Sequence, residues 1–390
     1  MSAGPGGGGV QWHTARALAS SAAARLPAET VPLDEAIGRV LAADVLALCD
    51  LPHYASSAMD GWAVRGDGPW AITTGALSPG TASVVQTGGV IPHGADAVLR
   101  SESGSVRVRG GRSVLSSTTD EPRHAQHIRT AGDEARLSDL LIAAGTPINP
   151  AHVAVAAAGG HDELGVICRP RVALIFTGDE IVESGIPGPG RVRDSFGPQL
   201  PAVVGMLGGA VVSASRVRDD LAATIAALGG GTSDSDLVIT TGGTGDSSVD
   251  HIHAALRSIG AEVLVPRVAM RPGGPSLLAR LPDGRLLVGL PGNPLAAMMG
   301  LVTLVEPVIA ALGGRPEPVL GTVATAEPLP GRAGSSVLVP YRLLDGRAVA
   351  NPWLGSGMMR GLAEAAGVLI VPPSGVPAGG TAETVALPWG

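Results

Sequence analysis

A glycine-rich turn flanked by carboxylates gives this chain its most pointed chemistry. In Asp236-Leu-Val-Ile-Thr-Thr-Gly-Gly-Thr-Gly245 an apolar run stops abruptly in threonine and glycine, and Asp250 follows just downstream. A turn of this kind between a parallel strand and a helix gathers backbone N–H groups at one point, which suits an anion. The loop holds no lysine, so the pattern points to an anionic ligand handled partly through a metal ion. Phe176-Thr-Gly-Asp-Glu180, Met270-Arg-Pro-Gly-Gly-Pro275 and Gly289-Leu-Pro-Gly-Asn-Pro294 make similar clusters. All four are expected at the C-terminal ends of strands in one sheet, the edge where open α/β sheets bind ligands. There Glu180, Asp236 and Asp250 would converge as hard oxygen ligands for Mg2+, or position a water for hydrolysis. A fifth cluster, Ser56-Ser-Ala-Met-Asp-Gly-Trp-Ala-Val64, sets Asp60 before a glycine ahead of a short strand. Each motif alone also reads as an ordinary turn; their expected meeting on one edge is what raises their weight.

The elements that must position these residues fall into segments. Thr14 caps a predicted first helix over 15–24, with Pro27 just beyond it. Residues 51–128 read as a β-rich unit of short strands split by Gly and Pro, and Asn149-Pro150 opens a helix that Gly159-Gly160 stops. From 169 to 314 strand and helix alternate, with strands expected at 172–176, 210–213, 237–240 and 286–289. That alternation predicts a mostly parallel sheet covered on both faces. Short strands return over 318–390, with a brief helix near 358–365. The expectation is therefore an α/β multidomain protein. A central, mostly parallel α/β sandwich spans 169–314, a β-rich domain 51–128 and a small C-terminal β-barrel-like domain 318–390, while 10–50 with 129–168 form an elongated linking domain.

Composition excludes several classes. All 27 basic residues of the 390 are arginine, which rules out a Walker-type phosphate loop and Schiff-base chemistry. The net charge of −7, with no basic run, makes nucleic acid an unexpected partner. Cys49 and Cys168 lie far apart and read as two inert thiols of a cytoplasmic protein, and no apolar run is expected to span a membrane. His124 with His127, and His251 with His253, lack carboxylate or cysteine company at zinc spacing.

Taken in order, Ser57-Ala-Met-Asp-Gly-Trp-Ala-Val64, Thr87-Gly88, Pro92-x-Gly-Ala-Asp96, Thr177-Gly-Asp-Glu180, Arg193-Asp-Ser195 and Gly289-Leu-Pro-Gly-Asn-Pro294 resemble the molybdopterin molybdenumtransferase family, the MoeA type shared with the gephyrin E domain. The resemblance runs from about residue 14 to the C-terminus. It implies that the α/β unit is of the molybdopterin-binding type, and that the protein is a homodimer working with a molybdopterin adenylyltransferase. The implied reaction uses adenylylated molybdopterin and molybdate: AMP leaves and molybdenum is inserted at the dithiolene with Mg2+ assistance. A catalytically impaired paralogue, binding pterin or nucleotide as a carrier or scaffold, is the alternative.

Carried onto this chain, the family's functional positions are Asp60, Thr87, Glu134, Glu180, Asp236 and Asp250, with Asp60 and Thr87 reaching the site from the other subunit. Substrate contacts are implied for Asp194, Ser195, Gly242, Gly243, Thr244, Gly245, Arg271, Pro291, Gly292, Asn293, Pro294 and Arg360. Departures from the family pattern are Gly245 for a serine, Gly274 for a lysine, Phe196 and Ala366 for asparagines, Gly361 for a serine and Glu134 for an aspartate. They leave Arg271, Arg193 and Arg360 as anchors for molybdate or phosphate. An arginine would grip such an oxyanion by its planar fork instead of as a point charge.

Overall fold

Apolar runs that alternate between two buried faces are what a parallel sheet between helix layers requires, and Val172 to Phe176 is such a run. In the computed structural model, which describes residues 9–230, 232, 234–245 and 251–390, this segment is the second strand of a six-stranded sheet. The strands are β1 (Arg171–Thr177), β2 (Ala210–Val217), β3 (Leu237–Thr241), β4 (Glu262–Val265), β5 (Leu277–Arg280) and β6 (Leu286–Leu290), in the order β2-β1-β3-β6-β5-β4. The first four in that order run parallel, while β5 is antiparallel to both β6 and β4. The expected parallel strands are all present; the antiparallel pair β4–β5 was not foreseen, because its short apolar segments are split by turns.

Val172, Leu174 and Phe176 face one helix layer together with Leu237, Ile239 and Val288; that layer includes α1 (Phe196–Met206). Ala173, Ile175, Val238 and Leu287 face the other, built from α2 (Leu221–Gly229) and α3 (Ile252–Ser258). At about 1.5–3 kcal/mol for each large apolar side chain fully buried, this double-faced packing dominates the stability of the unit.

One helical stretch, Pro294–Leu312, is long and apolar enough to cross a bilayer, contrary to the expectation that no such run exists. It is packed inside the protein, with Leu295, Met298, Met299, Leu301 and Val302 fully buried, so it is a core helix. Its middle, Leu301–Val305, widens to a π-helix. Such widening loosens backbone carbonyls, and buried Arg16 meets one of them, Val302 O, while pairing with Glu306 at 3.1 Å. The Trp12 indole N–H donates to Thr303 Oγ1 at 2.9 Å beside it. Burial pushes the Glu306 carboxyl up, against the pull of Arg16. The first helix, Trp12–Ala22, begins at the tryptophan these contacts need and not after Thr14; Gln11 occupies its N-cap.

The chain divides into two compact units, one of residues 1–29 with 167–390, the other of 30–166. The first also contains a seven-stranded sheet. Its path runs Val10–Gln11, Val268–Arg271, Ser336–Leu344, Gly367–Val371, Thr381–Val385 and Gly321–Ala324, with Arg347–Ala350 branching from the long strand. The Met270–Pro275 cluster was expected at a strand end of the central α/β sheet, but the strand that leads into it, Val268–Arg271, belongs to this sheet. It pairs in parallel with Val10–Gln11 on one side and with Ser336–Val337 on the other.

In the second unit, a six-stranded sheet follows the order Ala97–Arg100, Gly61–Arg65, Thr81–Val85, Trp70–Ile72, Arg112–Ser117, Gly104–Arg109. The helix expected after Asn149 spans Pro150–Ala158, and Asn149 and His152 cap it reciprocally. Gly159 then ends it.

Candidate active site

Three of the four glycine clusters meet at the C-terminal edge of the central sheet. Thr177, closing β1, donates its hydroxyl to Thr241 O at 2.9 Å, and the Gly242 N–H donates to Leu290 O at 2.9 Å, so the ends of β1, β3 and β6 are laced together. Gly242 has φ 85°, and a Cβ there would lie 2.5 Å from Thr177 Oγ1. Only glycine fits both the conformation and the space. Gly243 follows at φ 64°, Thr244 is buried, and the Gly292 backbone lies against Gly242. The turns carrying Gly242–Gly245 and Pro291–Pro294 therefore sit side by side, on one sheet edge as expected. Asp250 lies outside the described residues.

Glu180 is exposed in the turn after β1, on the same edge. The neighbouring Asp179 N–H donates to Asp219 Oδ2 at 3.1 Å, which brings the end of β2 into this edge through a residue the sequence reading passed over. Asp236 is a correction. It precedes β3, so the full strand separates it from Gly242; five residues at about 3.3 Å each put it roughly 16 Å from that edge. Its carboxylate accepts the Arg171 N–H at 2.7 Å, its own N–H donates to Arg171 O at 2.7 Å, and its carbonyl accepts from Leu286 N at 3.2 Å. Asp236 is a clasp for the starts of β1, β3 and β6 and does not converge with Glu180. Among the described residues, no group of three or more His, Cys, Asp or Glu side chains could hold a metal ion.

Asp194 is a second correction. One carboxylate oxygen accepts the N–H groups of Phe196 and Gly197 at 2.9 and 3.0 Å, and the other pairs with Arg216. Buried and fully engaged, it caps α1 and holds Arg216, whose guanidinium lies over the Phe176 ring. Ser195 is the N-cap residue of α1, and its side chain makes no capping bond. Arg193 is exposed and donates to Val182 O at 3.3 Å.

Arg271 and the Pro272–Pro275 turn open, with Pro291 and Asn293, onto a cavity of about 880 Å³. The C-terminal segment lines the same cavity through Arg332, Ser335, Leu354 and Ser356. Strand Val268–Arg271 makes this possible, since it belongs to the C-terminal sheet and delivers the Arg271 turn to that sheet's side. The Ala296 N–H donates to Ser356 O at 3.0 Å, tying the helix after Asn293 to the same segment. Arg271 and Arg332 are exposed and form no ion pair within the described residues, so both guanidinium forks are open to an anion. Gly274 keeps an ordinary φ, and a Cβ there would approach Met270 O at 3.1 Å. Arg360 does not line this cavity: its guanidinium stacks on the Trp353 ring at 4.0 Å. Arg332, Ser335 and Ser356 were missed in the sequence because they sit in Gly- and Ser-bearing turns far from Arg271.

In the unit of residues 30–166, Asp60 and Thr87 come together. The Asp60 carboxylate accepts the Thr87 N–H at 2.6 Å; this bond, aided by the Thr87 side chain, holds the carboxyl below its ordinary range. Gly61 must be glycine, because a Cβ would fall 2.0 Å from Leu99 O. Glu134 is exposed in a separate turn, where its N–H donates to Leu51 O at 2.8 Å; within this unit it is not joined to the Asp60–Thr87 pair.

Known proteins share this organisation. Residues 10–160 match the family model described as the MoeA N-terminal region (domain I and II), and residues 173–311 match the probable molybdopterin binding domain. A molybdopterin molybdenumtransferase of Staphylococcus epidermidis is 32% identical over 308 residues, covering 73% of this chain and 71% of the relative. One from a Nostoc species is 33% identical over 308 residues, 73% of this chain and 70% of that protein. The solved molybdopterin biosynthesis moea protein from Pyrococcus horikosii superposes with a TM-score of 0.78 at 24% identity, over 97% of this chain and 99% of that one, which shows a shared fold. On the ordered motifs, the sheet edge they build and relatives of this similarity over most of both chains, the chain belongs to the molybdopterin molybdenumtransferase family of molybdenum cofactor biosynthesis.

Proposed function

We propose that this enzyme inserts molybdate into adenylylated molybdopterin with release of AMP, and that the cavity beside Arg271 receives the oxyanion. The observation that carries the reading is that Arg271 and Arg332, neither in an ion pair among the described residues, line one cavity that also reaches Pro291 and Asn293. Two guanidinium forks beside small residues suit an oxyanion with several acceptor oxygens, such as molybdate. Gly242, Gly243, Thr244 and Gly245 would accept the pterin nucleotide on the adjoining turn, where backbone can approach a phosphate closely. Arg332, lining the same cavity as Gly274, would supply the second cation that Gly274 lacks, which favours a working enzyme over an impaired carrier.

Mg2+ fits less well than the sequence implied. Glu180 and Asp236 lie at opposite ends of β3 and its neighbours, so they do not form one site. The ion would arrive on the nucleotide phosphates, as Mg2+ commonly does, with Glu180 the acidic side chain at the edge it reaches. Asp60 and Thr87, held as one pair, would be presented by a second copy of the chain in a homodimer, and the adenylylated pterin would come from a molybdopterin adenylyltransferase. The four-domain division, Glu134 as a site residue and a cytoplasmic location complete the reading.

The test is turnover of purified protein given adenylylated molybdopterin, Mg2+ and molybdate. AMP release that requires molybdate, with formation of active cofactor, is expected. No release at saturating substrate would overturn the reading in favour of a carrier. Release indifferent to molybdate would recast the protein as a nucleotide pyrophosphatase.

A further inference from the structure

The Asp60 segment is held from both sides by groups that meet in one ion pair. On one side, Asp60 O accepts the Ser101 N–H at 2.9 Å, and Gly61 is paired in register with Arg100. On the other, the Ala58 N–H donates to His127 O at 2.9 Å, while Ser57 and Ser56 pair with Ile128 and Arg129. The two sides are closed onto each other by Arg100 and Glu121. Arg100 Nε and Nη2 donate to the two Glu121 oxygens at 2.9 and 2.7 Å, a bidentate fork. Ser103 Oγ donates to the same carboxylate at 3.1 Å, and Gln126 Nε2 adds a longer contact at 3.4 Å. A ring results: Ala58 to Asp60, across to Ser101 and Arg100, through the fork to Glu121, along the chain to His127 and back to Ala58. His127 sits at φ 61°, in the left-handed region that few residues other than glycine occupy.

We infer that Arg100 and Glu121 are positioning residues for Asp60. They touch no substrate in this reading; the fork fixes where the Asp60 carboxylate points by holding the backbone on either side of it. The Glu121 carboxyl lies below its usual range chiefly because of Arg100, so the fork persists wherever the enzyme works near neutral pH. This inference rests on Asp60 serving the reaction, as proposed above.

The test uses the full-length protein and four variants: Glu121→Gln, Ser103→Ala as a milder change, Asp60→Asn, and the double variant Asp60→Asn with Glu121→Gln. Amide hydrogen exchange at Ala58 and Ser101 reports the ring, and molybdate-dependent AMP release reports the reaction. Glu121→Gln is expected to speed exchange at both amides about tenfold or more, leave Val238 in the central sheet unchanged, and lower kcat about tenfold with KM little altered. Ser103→Ala should shift exchange and kcat the same way by a smaller factor. In the double variant, Glu121→Gln should cost nothing further, because a positioning residue has no effect once the group it positions is gone. Unchanged exchange, or additive losses in the double variant, would overturn the inference. A normal kcat in Glu121→Gln despite faster exchange would overturn it as well. Asp60→Asn then separates the two levels: if that variant is inactive, only the positioning role fails, and if it is fully active, the reading of Asp60 itself fails.

Discussion

The two ends of β3 carry similar-looking chemistry and do opposite things. At its start, Asp236 spends its carboxylate on the Arg171 N–H and its backbone on β1 and β6. At its finish, Gly242 and Gly243 hold φ values that other residues resist and leave the turn bare of side chains. One end is satisfied and structural, and the other is open and placed beside Pro291 and Asn293. Residue type therefore decides less than position along the strand: an acid at the entering end of a parallel strand has neighbouring strand starts to bind, while a turn at the leaving end faces solvent and ligand.

Substitutions at each end can break this comparison. The largest effect is expected for Gly242→Val, whose side chain would strike Thr177 Oγ1 in a conformation costing about 1–3 kcal/mol. Displacing the cradle by about 1 Å should lower kcat/KM roughly a hundredfold, read by AMP release. Next come Arg271→Ala and Arg332→Ala. Each removes a charge-assisted contact of about 1.5–3 kcal/mol, so KM for molybdate should rise about tenfold to a hundredfold with Tm unchanged. For Asp236→Asn, about 1 kcal/mol of stability is expected to be lost in denaturant unfolding while turnover stays within about twofold. A collapse of turnover there would erase the distinction between the ends.

The smallest effect concerns Asp60. Its carboxyl lies below the ordinary value of about 3.9 because the charged form accepts the Thr87 N–H. The folded value being the lower one, the contribution is present above the unfolded pKa and fades as pH falls through the folded value. Carbon NMR of the Asp60 carboxyl should show a midpoint below the ordinary one in the wild type, rising toward it when Thr87 is replaced by proline, which has no N–H to offer.

Much of this was legible before any coordinates. Strands buried on both faces read as continuous apolar runs, so β1, β3 and β6 and the turns after them could be placed from local pattern alone. The Gly242-Gly243 pair read as a turn from residue type alone, and both take the positive φ that favours glycine. Asp236 was misjudged because adjacency along the chain hid the length of the strand between it and the glycines. Asp194 was carried over with the family's motif, which does not show that its carboxylate is taken up by α1 and Arg216. The Met270–Pro275 cluster was placed on the wrong sheet because the partners of its strand, Val10 and Ser336 among them, lie far away in sequence. Arg332 and Ser356 escaped for the same non-local reason: only the fold brings them into one cavity with Arg271.

That strand has a consequence for how the protein can be taken apart or recombined. Val268–Arg271 is contributed from between two strands of the central α/β sheet, yet its hydrogen bonds belong to the C-terminal sheet and to Val10–Gln11. Excising the C-terminal segment would leave this strand with an exposed edge, a template for pairing with another chain. A grafted C-terminal module from a relative would have to accept the same loaned strand in the same register. The central α/β segment and the C-terminal sheet are thus tied through one strand, and exchanging either part alone would break the pairing of Val268–Arg271 with Ser336–Val337.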